Sequence, residues 1–380
     1  MIKAHRIRLN PTAEQDEYLR KASGTRRFVY NWGLAEWKRQ YEAGEKPSAF
    51  TLKKQFNALK GQEFPWVYDV TKCAVEGAFM DLANAFTHFF EGRKAGRKVG
   101  YPKFKAKKRS REGFYVDNEH FSVSGHWLKL PHIGRVNMTE KLRWAGKLLS
   151  ARITRTAQWW FVSLTVELPD VGLTPPSAQV GIDLGINRLA TLSDGQPFEN
   201  QKPLRTLLRK LAHAQRDLSR KQPGSRNRDK ARLKVARLYY RIACIRADHL
   251  HKVTTHIAQQ YGFVAVETLH VKGMLHNRSL AQALGDAAFG LFRTFLISKV
   301  ECAGGVVQPL GRFFPSSKTC SACGQVKDIL TLSERVYHCE QCGMTLDRDL
   351  NAAFNILYEG QRLRAASFRC TVSGTGLDET

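Results

Sequence analysis

The sequence predicts a multidomain α/β protein, and three features carry that expectation. The chain has 380 residues, 43% of them hydrophobic, which is enough for two or three domains and too apolar for a disordered polymer. Its N-terminal part runs from helical periodicity into the strict alternation of half-buried strands. Its C-terminal part carries short, mainly apolar strands separated by long helices.

Taken in order, "NPTAEQDEYLRKASGTRRFVYNWGLAEWKRQYEAG" reads as a helix. Thr12 and Gln15 have capping-box spacing, Gly44 offers a stop, and Trp32, Leu34 and Trp37 are core candidates. A second helix is expected over about 70–90, with Val75, Ala78, Phe79, Leu82, Phe86 and Phe89 on one face. Next comes "GRKAGRKVGYPKFKAKKRSREGFY", where nine Lys or Arg fall between Arg93 and Arg109. A charge run alone is most simply a solvated linker. Here Tyr101, Phe104, Phe114 and Tyr115 lie among or just after the cations, which points to a nucleic-acid surface where rings stack and cations meet phosphates. Lys103, Lys105, Lys107, Lys108 and Arg109 are the candidate contacts. From Phe121 to Leu168 the pattern is β-like, and "PDVGLTPPSAQ" reads as a linker.

Beyond the linker, "QVGIDLGINRLATLSDG" gives two strands and a turn. Residues 201–260 are helical, with 16 Lys or Arg against three Asp, and "RKQPGSRNRDK" breaks them into a hairpin of two helices. Arg226 and Arg228 at that break are further candidate nucleic-acid contacts. "GFVAVETL" is a buried strand, 284–302 a helix, "GGVVQPL" a strand. A last helix is expected from about Asp349 to Tyr358, with a loosely ordered tail behind it.

A net charge of +26 and a pI of about 9.9 cost the fold self-repulsion and imply a polyanionic partner, nucleic acid ahead of an anionic membrane. "MIKAHRIRLN" lacks the apolar core of a signal peptide, and no run of 18 apolar residues occurs, so a soluble, cytoplasmic chain with reduced cysteines is expected. Four of the eight cysteines have the spacing C-x2-C-x15-C-x2-C. Cys320, Cys323, Cys339 and Cys342 would close a tetrahedral sulfur site around one structural Zn2+. All four positions are Cys, which leaves no open coordination site for catalysis, and His338 is not expected to be a ligand.

The chemistry candidates are acids at strand ends. Asp183 in "VGIDLG" and Glu267 in "FVAVETL" are single carboxylates on apolar strands, and burying one is costly unless something pairs with it. An ion pair or a cap is the ordinary explanation for each alone. With Asp349 at a helix start, they suggest acids converging on Mg2+, and two such ions would hold the attacking and leaving oxygens of a phosphodiester. The element order is that of the RNase H/RuvC fold, whose topology would bring the three together.

Here the resemblance becomes specific. "GIDLGINRLATLSDG", the basic hairpin, "VAVETLHVKGML", "PSSKTCSACG" and "CGMTLDRDLNAAFNIL" resemble the OrfB/TnpB family of transposon-encoded proteins, relatives of the type V CRISPR effectors, and the likeness covers nearly the whole chain to about residue 358. It implies an RNA-guided DNA endonuclease. The expected parts are a wedge-type β-barrel (1–10 and 95–170) with a helical recognition insertion (11–94), a RuvC-like nuclease domain (171–315 and 346–358) and a zinc ribbon (316–345), with 359–380 as a flexible tail. Carried over residue by residue, Asp183 and Glu267 match the first two RuvC acids. Asp349 matches the third, with Asp347 as the helix cap or, alternatively, the third acid. Asp183 would bridge two Mg2+ ions, and Glu267 and Asp349 would each complete one coordination shell. The implied partners are a guide RNA from the transposon end and target double-stranded DNA. A nucleic-acid-binding regulator that does not cut and a transposase are the rival readings.

Overall fold

The computed structural model describes residues 1–373 except 108, 170, 171 and 332, with side chains described through residue 366. Two compact units divide the chain near residue 170.

The N-terminal unit opens with strand β1 (Ile2–Asn10) and the long helix α1 (Ala13–Glu42). Thr12 and Gln15 close the expected capping box, with the Gln15 N–H donating to Thr12 Oγ1 (3.3 Å) and the Thr12 N–H to Gln15 Oε1 (3.1 Å). Gly44 takes the left-handed conformation (φ 83°) just past the helix end. Helices α2 (Ala49–Glu63) and α3 (Lys72–Lys94) pack on α1 through Leu34, Leu52, Phe56, Phe79 and Leu82, and Trp37 stacks on Phe86 at 3.8 Å. Six more strands follow: β2 (Gly113–Asp117), β3 (Ser122–Ser124), β4 (Trp127–Leu130), β5 (Gly134–Met138), β6 (Lys147–Thr156) and β7 (Trp159–Glu167). The seven form one antiparallel sheet in the order β2-β6-β7-β1-β5-β4-β3. Along β7, Trp160, Val162, Leu164 and Val166 point into the core, as alternation requires. The edge strands β2 and β3 do not pair with each other among the described residues. Tyr18, Leu19 and Ala22 of α1 and Cys73 and Ala74 of α3 share the sheet's apolar core.

The second unit is built on β8 (Gln179–Leu184), β9 (Arg188–Leu192) and β10 (Pro197–Glu199), then helices α4 (Pro203–Ser219) and α5 (Arg226–Gln260). Next come β11 (Phe263–Val266), α6 (Val271–Met274), α7 (Arg278–Ala287), α8 (Phe289–Cys302) and β12 (Val306–Pro309). Strands β13 (Val336–His338) and β14 (Thr345–Asp347) and helix α9 (Arg348–Ser373) complete it. The sheet order is β10-β9-β8-β11-β12, with β8, β11 and β12 parallel and β9 and β10 antiparallel. Of the parallel strands, β11 (FVAV) is wholly apolar and buried, and β8 is buried at Val180, Gly181 and Ile182. Residues 278–302 hold an 18-residue window of mean hydropathy 1.2. They form two helices broken at Ala288 (φ 53°), and Leu284, Phe289, Phe292, Leu296 and Val300 pack into the core of the sheet. The buried Asp286 anchors the basic hairpin, accepting from the Leu204 and Arg205 N–H groups at the start of α4 and pairing with Arg246 of α5 at 3.1 Å. The expected end of the last helix at Tyr358 needs correction: α9 continues to Ser373, because Gly360 lets it cross β11 and Gln361 bonds Gln179.

Candidate active site and zinc centre

Asp183 is the fifth residue of β8, the middle strand of the sheet. The parallel register pairs Val266 with Ile182, so Glu267, the next residue of the neighbouring chain segment, comes abreast of Asp183. Glu267 Oε1 accepts the N–H of Leu184 at 3.0 Å, which fixes its carboxylate over the end of β8. Asp349 lies in the first turn of α9. Glu267 and Asp349 both act on Asp183 electrostatically. Burial, then the charges of Glu267 and Asp349, push the Asp183 carboxyl well above the usual carboxylate range, with Arg348 pulling the other way. Burial raises Glu267 to about 7 against the opposing pull of the Leu184 N–H. None of the three acids has an ion-pair partner among the described residues. They are spread more widely than the thiols described below, being absent from the groups whose three or more ligand atoms lie within 4.8 Å of one another. Uncompensated, half-buried carboxylates of this kind fit hard divalent cations with oxygen preference.

Asp347 is committed elsewhere. Its Oδ1 accepts the N–H groups of Asp349 (3.0 Å) and Leu350 (3.2 Å), which makes it the N-cap of α9, and its Oδ2 pairs with Arg188 at 3.1 Å.

What brings α9 down onto β8 is Gly181, two residues before Asp183. A Cβ there would meet the backbone of α9 at Ala353 O (2.2 Å) and Leu357 N (2.5 Å). Gly181→Ala is therefore expected to lift the helix that carries Asp349, at a cost of about 2–3 kcal/mol. In a thermal melt of the full chain this reads as a midpoint lower by roughly 5–10 °C.

The four cysteines gather as their spacing demands, with all four Sγ atoms within 4.8 Å. Cys320 and Cys342 are 3.7 Å apart, Cys323 and Cys339 3.6 Å. Each CxxC turns through a glycine in the left-handed region, Gly324 (φ 77°) and Gly343 (φ 73°), whose N–H returns to the first cysteine's carbonyl at 2.9 Å. Backbone N–H groups of Cys342 and Gln341 aimed at the Cys339 sulfur draw its thiol down to about 6. The donor set and its two matching knuckles fit one Zn2+. The local core is only Cys320, Tyr337 and Cys339 with Leu330 and Met344 against them, too little to fold without an ion.

Sequence reasoning missed the partners of Asn351. Asn351 is fully buried, donates to Thr319 O (2.7 Å) and accepts the Ser321 N–H (2.9 Å). Asn355, one turn on, donates to Ser316 O and Thr319 O, and Arg348 donates to Thr331 O and Glu334 O. Three side chains of α9 thus grip the cysteine-bearing segment. The visible signal was two Asn at i, i+4 spacing in "NAAFN".

Of the candidate nucleic-acid contacts, Lys103, Lys107, Arg109 and Arg226 are exposed. Lys108 lies outside the described residues. Two are held by the protein itself. Lys105 pairs with Asp81 (3.0 Å) over the ring of Tyr30, and Arg228 donates to Leu218 O and Lys221 O at the end of α4. Phe114 is a core residue, and Tyr101 packs against Phe86 and Phe89 yet stays exposed, as does Phe104.

Comparisons with known proteins converge on one family. The model described as "Probable transposase" (OrfB_IS605) matches residues 163–278, that described as "Cas12f1-like, TNB domain" matches 289–356, and an OrfB "Helix-turn-helix domain" model matches 1–46, where the structure has β1 and the single helix α1. A curated protein of Streptomyces pristinaespiralis described as "Putative RNA-guided DNA endonuclease" is 36% identical over 369 residues, covering 94% of this chain and 89% of that one. A Mycobacterium tuberculosis protein so described is 31% identical over 396 residues, covering 93% and 86%. The solved "Cryo-EM structure of the Cas12f1-sgRNA-target DNA complex" aligns with 94% of this chain and 99% of its own, at a TM-score of 0.37 and 17% identity. The chain belongs to the OrfB/TnpB family.

Proposed function

We propose that this protein is an RNA-guided DNA endonuclease that hydrolyses target DNA at the Asp183, Glu267 and Asp349 pocket with Mg2+, guided by RNA from the transposon end. What supports the reading is the placement of three carboxylates at the ends of two adjacent parallel strands and in the first turn of the helix crossing them, with Glu267 and Asp349 both opposing the charge of Asp183 and no ion pair to any of the three among the described residues. A strand order with the antiparallel pair on one side and the parallel pair on the other supports an RNase H-like, RuvC-type nuclease core, with 316–345 as its inserted zinc ribbon. The same proposal divides the N-terminal unit into a wedge-type β part (1–10 and 95–170) and a helical recognition part (11–94), and expects the protein in the cytoplasm.

In this reading Asp183 and Glu267 would hold the metal, and the Leu184 N–H keeps Glu267 from swinging away. Asp347 fixes the first turn of α9, so Asp349 faces the other two acids without itself serving as the cap. Bound Mg2+ supplies Lewis-acid stabilisation of the charge that develops on the phosphodiester oxygens. Base pairing between guide and target selects the site, and exposed cations such as Lys103, Lys107, Arg109 and Arg226 hold the backbones, so affinity falls steeply with salt.

The test is to purify the protein with co-expressed transposon-end RNA, sequence the RNA that stays bound, and offer a matched duplex with Mg2+. Cleavage is the expected result. Tight binding of RNA and target at saturating Mg2+ without a cut would instead make this a regulator.

A further inference from the structure

The N-terminal unit contains a cavity of about 310 Å³ whose wall carries Arg26, Arg27, Lys105, Arg111 and Arg152, with Glu112 as the single carboxylate among its lining residues. Glu112 is already neutralised by Arg155 at 2.8 Å. Asp81 pairs with both Arg26 and Lys105, so one carboxylate serves two cations. Arg27, Arg111 and Arg152 have no acidic partner among the described residues.

The arrangement is electrostatically unfinished. Burial pulls Arg26 and Lys105 below their ordinary ranges, and the Arg152 charge pulls both further. Two polar atoms of lining residues, Arg26 Nε and Thr154 Oγ1, are buried with no hydrogen-bond partner among the described residues. The fold maintains the crowding on purpose-built elements. Arg26 and Arg27 sit on α1, Arg152 and Thr154 on β6, and Asn31 grips the backbone of Lys105 on both sides, accepting its N–H (2.7 Å) and donating to its carbonyl (3.0 Å). An anion would relieve the mutual repulsion, and planar guanidinium forks with a hydroxyl donor suit phosphate oxygens.

We propose that this cavity seats a single backbone phosphate of a bound nucleic acid and, by neutralising its cations, locks α1, β6 and the basic segment 93–109 together. The proposal deepens the functional reading above and rests on it, since the phosphate belongs to the guide RNA or to the target DNA.

The test uses the full-length protein and the variants Arg111→Gln and Arg152→Gln, both exposed side chains without a protein partner. Stripped of nucleic acid, the Arg152 variant should melt at the wild-type temperature or about 1–3 °C higher, because a repulsion has gone. Each variant should lower the log–log salt slope of binding by about 1 for one nucleic acid and leave the other unchanged, which identifies the source of the phosphate. A methylphosphonate at one linkage of that strand should reproduce the loss with wild-type protein and add nothing to it with the variants. Wild-type slopes for both RNA and DNA in both variants would overturn the proposal, as would a lower melting temperature for Arg152→Gln. If wild-type protein binds RNA and cuts while the variants match it, the cavity proposal alone falls. If wild-type protein binds neither RNA nor DNA, the functional reading falls with it.

Discussion

Asp183→Asn is expected to abolish target cleavage while making the metal-free protein more stable. In the proposed function Asp183 is a metal ligand, and losing one forfeits several kcal/mol of transition-state stabilisation; each ~1.4 kcal/mol is tenfold in rate, so the loss should be about 10³-fold or more. The gain in stability has the same origin. Asp183 sits where burial, Glu267 and Asp349 all oppose its charge. An amide of the same shape removes the central charge of the cluster. The pH dependence follows from the sign of the shifts. Glu267, raised from 4.5 to about 7, binds a proton in the folded chain that the unfolded chain has released. Its contribution to stability is therefore present below 4.5 and lost as pH rises to about 7, with Asp183 acting in the same direction. Without Mg2+, wild-type protein should melt lower at pH 8 than at pH 5.5 on account of these groups. Added Mg2+ should reverse the difference, and the Asn variant should show less of both. At limiting Mg2+, cleavage should fall as pH drops through about 7, where protons compete with the metal for Glu267, and saturating Mg2+ should move that fall to lower pH. Melting in Mg2+-free buffer tests this better than a chelator, which would also take the zinc. A variant that still cuts at the wild-type rate removes Asp183 from the mechanism.

The parts of this architecture that sequence made visible are those decided by local chemistry. The Thr12–Gln15 box, the glycine after α1 and the break between α4 and α5 each follow from residues within a few positions of one another. So do the lone acids on apolar strands, since an Asp or Glu among Val, Ile and Phe is conspicuous wherever it lies. What escaped depends on partners distant in sequence. Helix α2 buries only Leu52 and Phe56, too few to mark a face. Lys105 reads as one more cation of a basic run until Asp81, on another helix, is seen to hold it. The charge of Arg228 is similarly spent on backbone carbonyls of α4. Spacing could not separate Asp347 from Asp349, because both open the same helix. Hydrogen-bond direction marks Asp347 as the cap, since its Oδ1 accepts two first-turn N–H groups. The strand order of the N-terminal sheet was equally invisible, because alternation fixes which face is buried and leaves pairing undecided.

Cys339→Ser is expected to reduce bound zinc from one ion per chain to none and to lower cleavage by about 10²-fold or more, with guide-RNA binding largely kept. The reasoning runs through α9. The residue after Asp347 and those flanking Asp349 along the helix, Arg348, Asn351 and Asn355, hold backbone groups of Ser316, Thr319, Ser321, Thr331 and Glu334. Zinc fixes that backbone, and the backbone fixes the azimuth of the helix, hence of Asp349. Unfolding the ribbon leaves Asn351, fully buried here, without partners, a penalty of about 1–3 kcal/mol that the helix can avoid only by turning or lifting. A displacement of about 1 Å at a metal ligand is enough for a hundredfold loss. Asn351→Ala separates the two links. It should keep zinc at one per chain and keep RNA binding, yet cut about 10- to 30-fold more slowly, because the ribbon is folded but no longer clamps the helix. A cysteine variant that loses its zinc and cuts at the wild-type rate would show that the ribbon does not position Asp349. If Asn351→Ala cuts normally while Cys339→Ser does not, the ribbon acts on the substrate strand and not through the helix.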